Sequence, residues 1–525
     1  MRGVLVAIAV IGLTASFRFL ALNGFPDDHY VHLAGAQQML HGALPSRDFV
    51  DHGQPLMFVV SAAAQRIFGE GQLTEAVLMS LAFGLAAMLT LRAGVRLTGS
   101  ILLALFPVVI EVLIFPRTYS YSKMVIYASA ALALLWYAER PSRGRVLALA
   151  LLTVVAGLVR HDHGLFLGIA SLVAVALSPV PSDRFKGASV LLFCGAALSF
   201  ALPYLVYLQT SEGVLAHVQR GMSFTTLEMS RQRLPLGDLR VHEVWLLAAT
   251  WGAPVAALAA LAMSVARRRP GSWDEVRRVG PLAVLALVAN AGLIRDLPET
   301  RLPDAIVVPA LIGMWLGQSA WGWFSGAGAV AVRVAAVVAL VVTLWGVTIM
   351  GHTPEQLNRI GVFNGIGRLP GRFKERAIEM KRPWEGRQRP SVAVQEMRPF
   401  FGYTARCVPA DARLLVAAYL PEVLVLAHRP FAGGQIWFMP GGLATADDHA
   451  LVMRRLAGER VPLAVIRRPS YDDLAREFPE LDAHITAHFS PIAQWSMGGD
   501  DRVVLLADMH ASTGRDDATG WPCYR

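Results

Sequence analysis

Gly24-Phe-Pro-Asp-Asp-His-Tyr30 sets two carboxylates side by side, directly after an apolar stretch, Val4 to Leu22, that is long enough to cross a membrane. Ionisable side chains at the mouth of a membrane bundle are costly to dehydrate, so a hydrophobic chain that keeps Asp27 and Asp28 there has a chemical use for them. A carboxylate in such a place suits the removal of a proton from an attacking hydroxyl. Other ionisable groups gather at three further places. Asp51 and His52 lie in the turn-rich stretch Gly42 to Leu56, Arg160, His161 and His163 interrupt an apolar run, and Arg295 and Arg301 frame Arg295-Asp-Leu-Pro-Glu-Thr-Arg301. Arginine grips phosphate oxygens two at a time and stays charged in apolar surroundings, so these cations suit a phosphate. Each group also has a plainer reading. One Asp of the pair would cap the helix that follows, Gly42 to Leu56 would be a solvated loop, and Arg160 or Arg295 would pair with Asp162 or Asp296.

The element that must hold these groups is a membrane bundle. Of 525 residues 54% are hydrophobic and 17% charged, mean hydropathy is +0.45, and the long apolar runs end near residue 350. The net charge of +9 is no nucleic-acid footprint, because many arginines fall in short loops between apolar runs, where they report topology. Candidate spans cover 4–22, 73–91, 99–115, 120–138, 146–158, 164–178, 187–207, 243–265, 280–294, 304–323 and 329–349, about eleven crossings. The first has Arg2 ahead of it and no small-x-small site behind it, so it reads as a retained helix. Pro55 to Phe68 is apolar but reaches only roughly 21 Å as a helix, and is expected to lie in the interface.

With that segment not crossing and the amino terminus inside, the inner loops hold Arg92 and Arg96, Arg140, Arg143 and Arg145, Arg184 and Lys186, and Arg267 to Arg269 with Arg277 and Arg278. The Asp pair, the break Arg160-His-Asp-His-Gly164 and everything after residue 350 then share the outer side.

Three regions follow: a transmembrane part over 1–349 with a first outer loop at 23–72, a basic connector over 350–395, and a soluble α/β domain over 396–525. In the last, short apolar runs (Leu414 to Ala418, Val423 to Ala427, Val461 to Ile466, Val503 to Ala507) alternate with helical stretches at Asp447 to Ala457 and Tyr471 to Phe478. Cys407 and Cys523 bracket this domain and could pair in an oxidising compartment, while Cys194 falls in a span. From Asp28 onward, Tyr30, Leu33, Ala34, Gln37 and Leu40 make a mostly apolar stripe with His29, His32 and Gln38 off it, so a surface-lying helix is expected.

These residues together resemble the first loop of the GT-C fold glycosyltransferases. An acidic pair follows the first helix, a surface helix ends in Gly42, and Pro45-x-x-Asp-Phe-x-Asp51-His52-x-x-Pro-Leu56 leads to an apolar helix ending in Phe68-Gly69. The likeness is greatest to the branch of protein O-mannosyltransferases and lipid A aminoarabinose transferases. It is best over residues 1–180, weaker at Arg295 to Pro309, and in the tail one of general layout. Relatives usually carry Asp-Glu where this chain has Asp27-Asp28, and often Lys-Pro-Pro where it has His52-Gly-Gln-Pro55, so His52 replaces a lost lysine only if protonated.

The resemblance implies a mainly α, polytopic GT-C-like bundle in a bacterial inner membrane, with its carboxyl-terminal domain on the periplasmic side. It implies transfer of a sugar from a polyprenyl-phosphate donor to an acceptor at the outer face. Inverting transfer needs a single base, Asp27 first and Asp28 second, with Asp51 on the sugar hydroxyls and Arg160, His161, His163, Arg295 and Arg301 on the phosphate. The acceptor, whether glycan, lipid or protein, is not written in these residues. A divalent metal ion stays open, since Asp27, Asp28 and His29 could ligate one but specify no geometry. A flippase or transporter would show paired halves, and none is visible. A polysaccharide polymerase or ligase is kept open by Arg220, Arg231, Arg233 and Arg240 in the loop 208–242.

Overall fold

The computed structural model describes residues 2–51, 53–181, 187–231, 238–295, 298–323, 327–381, 395–442 and 445–525. Among the residues singled out above, His52, Arg184, Lys186, Arg233 and Asp296 lie outside them. The chain forms two compact units, one of residues 1–21, 77–206 and 229–373, the other of 22–76, 207–228 and 374–525.

The first unit is a helical bundle, and every expected span has its helix. Gly3–Ala21, Gln72–Thr98, Ala188–Ser211, Val241–Ala266, Ser272–Ile294 and Gly328–Met350 are long and apolar enough to cross a membrane, and Pro298–Ala305 with Val307–Trp321, bent by 65°, makes a broken seventh. Ile101–Leu113, Arg143–Val159 and His161–Leu177, which are shorter, and Tyr121–Glu139, of 19 residues, account for the remaining segments. The apolar run 146–178 divides where expected, at Arg160, whose extended backbone ends one helix and begins the next. These two helices pack against each other through glycines: a Cβ on Gly164 would stand 2.5 Å from the Gly157 Cα. Close approach of this kind is how helices associate where water offers no hydrophobic drive. Arg18, 2% exposed, donates to the Pro116 carbonyl at 2.5 Å and lies between the rings of Phe83 and Phe115, 3.9 Å from each centroid.

The second unit joins the first loop to the tail. In the tail a four-stranded sheet has the order β1-β2-β4-β3, with β1 Leu414–Ala417, β2 Leu463–Arg468, β3 Ser490–Gly498 and β4 Asp501–Ala507. β1 and β2 are parallel and the other two pairings antiparallel. Ala446–Ala457 and Ser470–Glu477 form helices as expected, and Leu415, Ile466, Leu474 and Phe478 sit in the core they share with the sheet. The run Val423 to Ala427 is a helix, Pro421–Ala427, buried along its whole length, so its uninterrupted apolar character marks burial rather than a strand. Cys407 and Cys523 form a disulfide, with the Tyr524 N–H on the Cys407 carbonyl.

The loop contributes α1 (Asp27–Leu40) and α2 (Pro55–Phe68) to this unit. The expectation that α1 lies on a surface is corrected: His29, His32 and Gln38, placed off the apolar stripe, are buried. They are buried because they are bonded. His29 Nε2 meets Glu75 Oε1 at 3.0 Å, His32 Nε2 meets Gln54 Oε1 at 2.9 Å, and Gln38 Oε1 accepts from the Phe431 N–H at 3.1 Å. Gln37, on the stripe, donates to the Val425 carbonyl at 3.3 Å, so the tail contacts α1 both on the stripe and, through Gln38, off it. α2 buries Met57, Phe58, Ser61, Ala62 and Gln65 and leaves Val59, Val60, Ile67 and Phe68 exposed.

Candidate active site

Asp27 and Asp28 open α1, but neither caps it. Pro26 is the N-cap, with extended backbone and no side-chain bond, and both acids fall in the first turn. There the helix dipole favours negative charge, so the fold tolerates two carboxylates beyond what a cap requires.

The two acids differ in partners. The Tyr419 hydroxyl donates to Asp28 Oδ1 at 2.5 Å, a short charge-assisted bond. Asp27 accepts no side-chain bond of this kind among the described residues. Although its tip is exposed, Asp27 loses hydration to the surrounding protein, and that loss, with the neighbouring Asp28 charge, raises its carboxyl above the usual range. The Arg467 guanidinium opposes the rise. Arg467 is itself held in place by Asp501, with Nη2 2.5 Å from Oδ2. Tyr419 is backed by Trp437, ring centroids 5.9 Å apart, and Trp437 by Phe224 at 6.0 Å. A weakly acidic carboxylate, a fixed neighbour and an aromatic wall suit a base that works on a polyol.

Behind the acids a buried polar network holds the start of α1. Glu75, 0% exposed, also accepts from Ser61 at 2.6 Å, and Gln65 donates on to Ser61 at 3.1 Å. Gln72 donates to the Tyr30 hydroxyl at 2.9 Å. Burial drives His32 down to about 4, so it is neutral at neutral pH.

Asp51 is 2% exposed, and its Oδ1 accepts from the N–H groups of Gly53 and Gln54 at 2.9 and 2.8 Å, at the start of α2. Its Oδ2 has no hydrogen-bond partner among the described residues, and burial pushes the carboxyl up to about 6.

The cationic candidates lie in the bundle unit. Arg160 pairs with Asp162 at 2.8 Å, the plainer of its two readings, and His161 is exposed. His163 Nδ1 meets the Tyr127 hydroxyl at 2.6 Å. Arg301 lies on the short helix Pro298–Ala305, and Arg295 ends the turn Ala291–Arg295, its side chain outside what the structure describes. The structure adds a residue that sequence reading did not select, Lys123. Its Nζ is 2.6 Å from Asp304 Oδ2 and stands over the Tyr119 ring, with Arg160 and Arg301 near enough to act on it electrostatically. Arg160, Arg301 and Lys123 thus gather in one region of the bundle with two carboxylates, Asp162 and Asp304.

Among the described residues, no three of His, Cys, Asp and Glu converge to hold a metal ion.

The arrangement has a solved counterpart in fold. ArnT from Cupriavidus metallidurans bound to undecaprenyl phosphate matches with a TM-score of 0.50 at 14% identity, over 97% of each chain. Its apo state matches with 0.49 at 15% identity, over 96% of this chain and 98% of that one. The protein is therefore an integral membrane protein with the GT-C fold, a polytopic helical bundle carrying a small carboxyl-terminal sheet. No family model matches the chain, and comparison with curated proteins finds no match.

Proposed function

We propose that the chain is a glycosyltransferase that moves a sugar from a polyprenyl phosphate to an acceptor hydroxyl, with inversion and with Asp27 as base. The observation that carries this reading is the unequal pair: Asp28 is held by Tyr419, whereas Asp27 is unheld and raised above the usual carboxyl range. In the reaction the acceptor oxygen attacks the anomeric carbon, its proton passes to Asp27, and the bond from that carbon to the phosphate oxygen breaks. The polyprenyl phosphate leaves with the electron pair. Such a leaving group requires positive charge, and the bundle unit gathers Arg160, Arg301 and Lys123, of which the arginines keep their protons in apolar surroundings. The undecaprenyl phosphate bound to ArnT, a protein of the same fold, supports a lipid phosphate as the donor's carrier. Arginine distribution supports an outer-face site with the amino terminus inside, and the resemblance in the first loop supports a bacterial inner membrane.

The test is transfer from radiolabelled polyprenyl-phosphate sugars in membranes that hold matched amounts of wild type or Asp27→Asn. Label reaching an acceptor with wild type and not with the variant supports both enzyme and base. Equal transfer by the two removes Asp27 from the reaction.

A further inference from the structure

A groove in the bundle unit plays no part in this chemistry. Between the helices His161–Leu177, Val241–Ala266 and Ser272–Asn290 lies a cavity of about 490 Å³, walled by side chains such as Leu177, Leu258, Val265 and Val276 and bordered by Trp273. Among the described residues, no charged side chain lines it. Its size falls within the range of about 300 to 1,000 Å³ usual for small-molecule sites, and an apolar space of this kind takes an apolar chain rather than water.

The rim has the opposite character. Val265 and Ala266 on one wall and Trp273 and Val276 on the other are joined by Arg267-Arg268-Arg269-Pro270-Gly271, so that loop stands at the mouth. Arg267 and Arg268 are exposed and form no ion pair among the described residues, and Arg277 has only a 3.4 Å contact with Asp274. From Arg267 to Arg278 five arginines face two acids. Trp273, 58% exposed, marks the level at which amphipathic rings meet lipid headgroups. A cationic rim over a chain-sized apolar slot complements a lipid whose head is an anion.

We propose that this groove binds an anionic phospholipid, one acyl chain in the slot and the phosphate over Arg267 and Arg268. It is separate from the donor's carrier and lies in the leaflet where this arginine loop lies. Juxtamembrane arginines each contribute to holding anionic headgroups, and apolar slots beside them receive the chain.

Native mass spectrometry of the full-length protein in mild detergent tests it, with phosphatidylglycerol and phosphatidylcholine of identical chains as probes. Wild type should retain phosphatidylglycerol over phosphatidylcholine by about tenfold or more. Arg267→Gln with Arg268→Gln should bring that ratio close to one, and Ala262→Phe, which fills the slot, should reduce retention of both lipids. Excess undecaprenyl phosphate should not displace the phosphatidylglycerol. Equal retention of the two lipids by wild type, or an unchanged ratio in the double variant, overturns the proposal. Displacement by undecaprenyl phosphate also overturns it and assigns the slot to an isoprenoid tail. Sugar transfer is not the readout, so these results stand apart from the fate of the transferase reading.

Discussion

The Tyr419 hydroxyl donates to Asp28 Oδ1 at 2.5 Å, from a residue 391 positions further along the chain. It fixes one carboxylate of the pair, and in the proposed reaction Asp27 is then the one that takes the substrate proton. Tyr419→Phe is expected to lower kcat by about 10- to 100-fold, the worth of a charged hydrogen bond. Asp27→Asn should lose about 10² to 10⁴-fold. Single-turnover transfer with both variants compares the two losses, and wild-type kcat in Tyr419→Phe would take Asp28 out of the reaction.

The pH profile should carry the mark of Asp27. A base must be ionised, so kcat/KM should fall as pH drops through a value above the ordinary Asp pKa of about 3.9, because Asp27 is raised. Arg467 holds that value down, so Arg467→Met should move the acid limb to higher pH and Arg467→Lys should restore it. A limb that stays in place in Arg467→Met would separate Arg467 from the base.

Stability should respond to pH through Asp51. Its folded pKa of about 6 lies above the unfolded value, so its contribution is full below about pH 3.9 and is lost as pH rises through about 6. Asp51→Asn keeps an acceptor for Gly53 and Gln54 and removes the charge. Melting curves of the purified protein should therefore show a smaller decline over that interval in the variant, and parallel curves would contradict this account.

Glu75 and His29 are both 0% exposed, and each is the other's partner at 3.0 Å. Removing one of two such bonded groups leaves buried polar atoms less well satisfied, at a cost of about 1 to 3 kcal/mol. Glu75→Ala should lose that much in denaturant unfolding, whereas Glu75→Gln, which keeps bonds to His29 and Ser61, should lose less than half of it.

The helix contact at Gly164 leaves no room for a side chain. Gly164→Ala would press a methyl against Gly157, 2.5 Å away, and should cost about 1 to 3 kcal/mol as overpacking. The same substitution at Gly144, which has nothing within 4 Å, is the control and should melt with wild type.

Much of this was legible from residue order alone. The spans, the break at Arg160 and the helix Pro55–Phe68 follow from apolar length and from Pro and Gly punctuation, which act locally. The acidic pair was legible because two adjacent carboxylates exceed what a helix cap needs. Tyr419, Arg467 and Trp437 were not, since their value lies in meeting Asp28, Asp27 and Phe224 across hundreds of residues, and no local pattern records that. The same reason explains α1: His29, His32 and Gln38 read as solvent-facing because their partners Glu75, Gln54 and Phe431 stand elsewhere in the sequence. Nothing in the local sequence sets Lys123 apart, and only its ion pair with Asp304 shows it turned inward.

The bond between Asp28 and Tyr419 also sets an order in time. A ribosome adding about 5 to 20 residues per second needs roughly 20 to 80 s to travel from one to the other. For that interval the first loop exists without the helix Pro421–Ala427 that covers Gln37 and without the hydroxyl that fixes Asp28. A nascent or prematurely terminated chain thus carries its acids in an unfinished setting. Synthesis of the last segment is what completes the surroundings of the acidic pair.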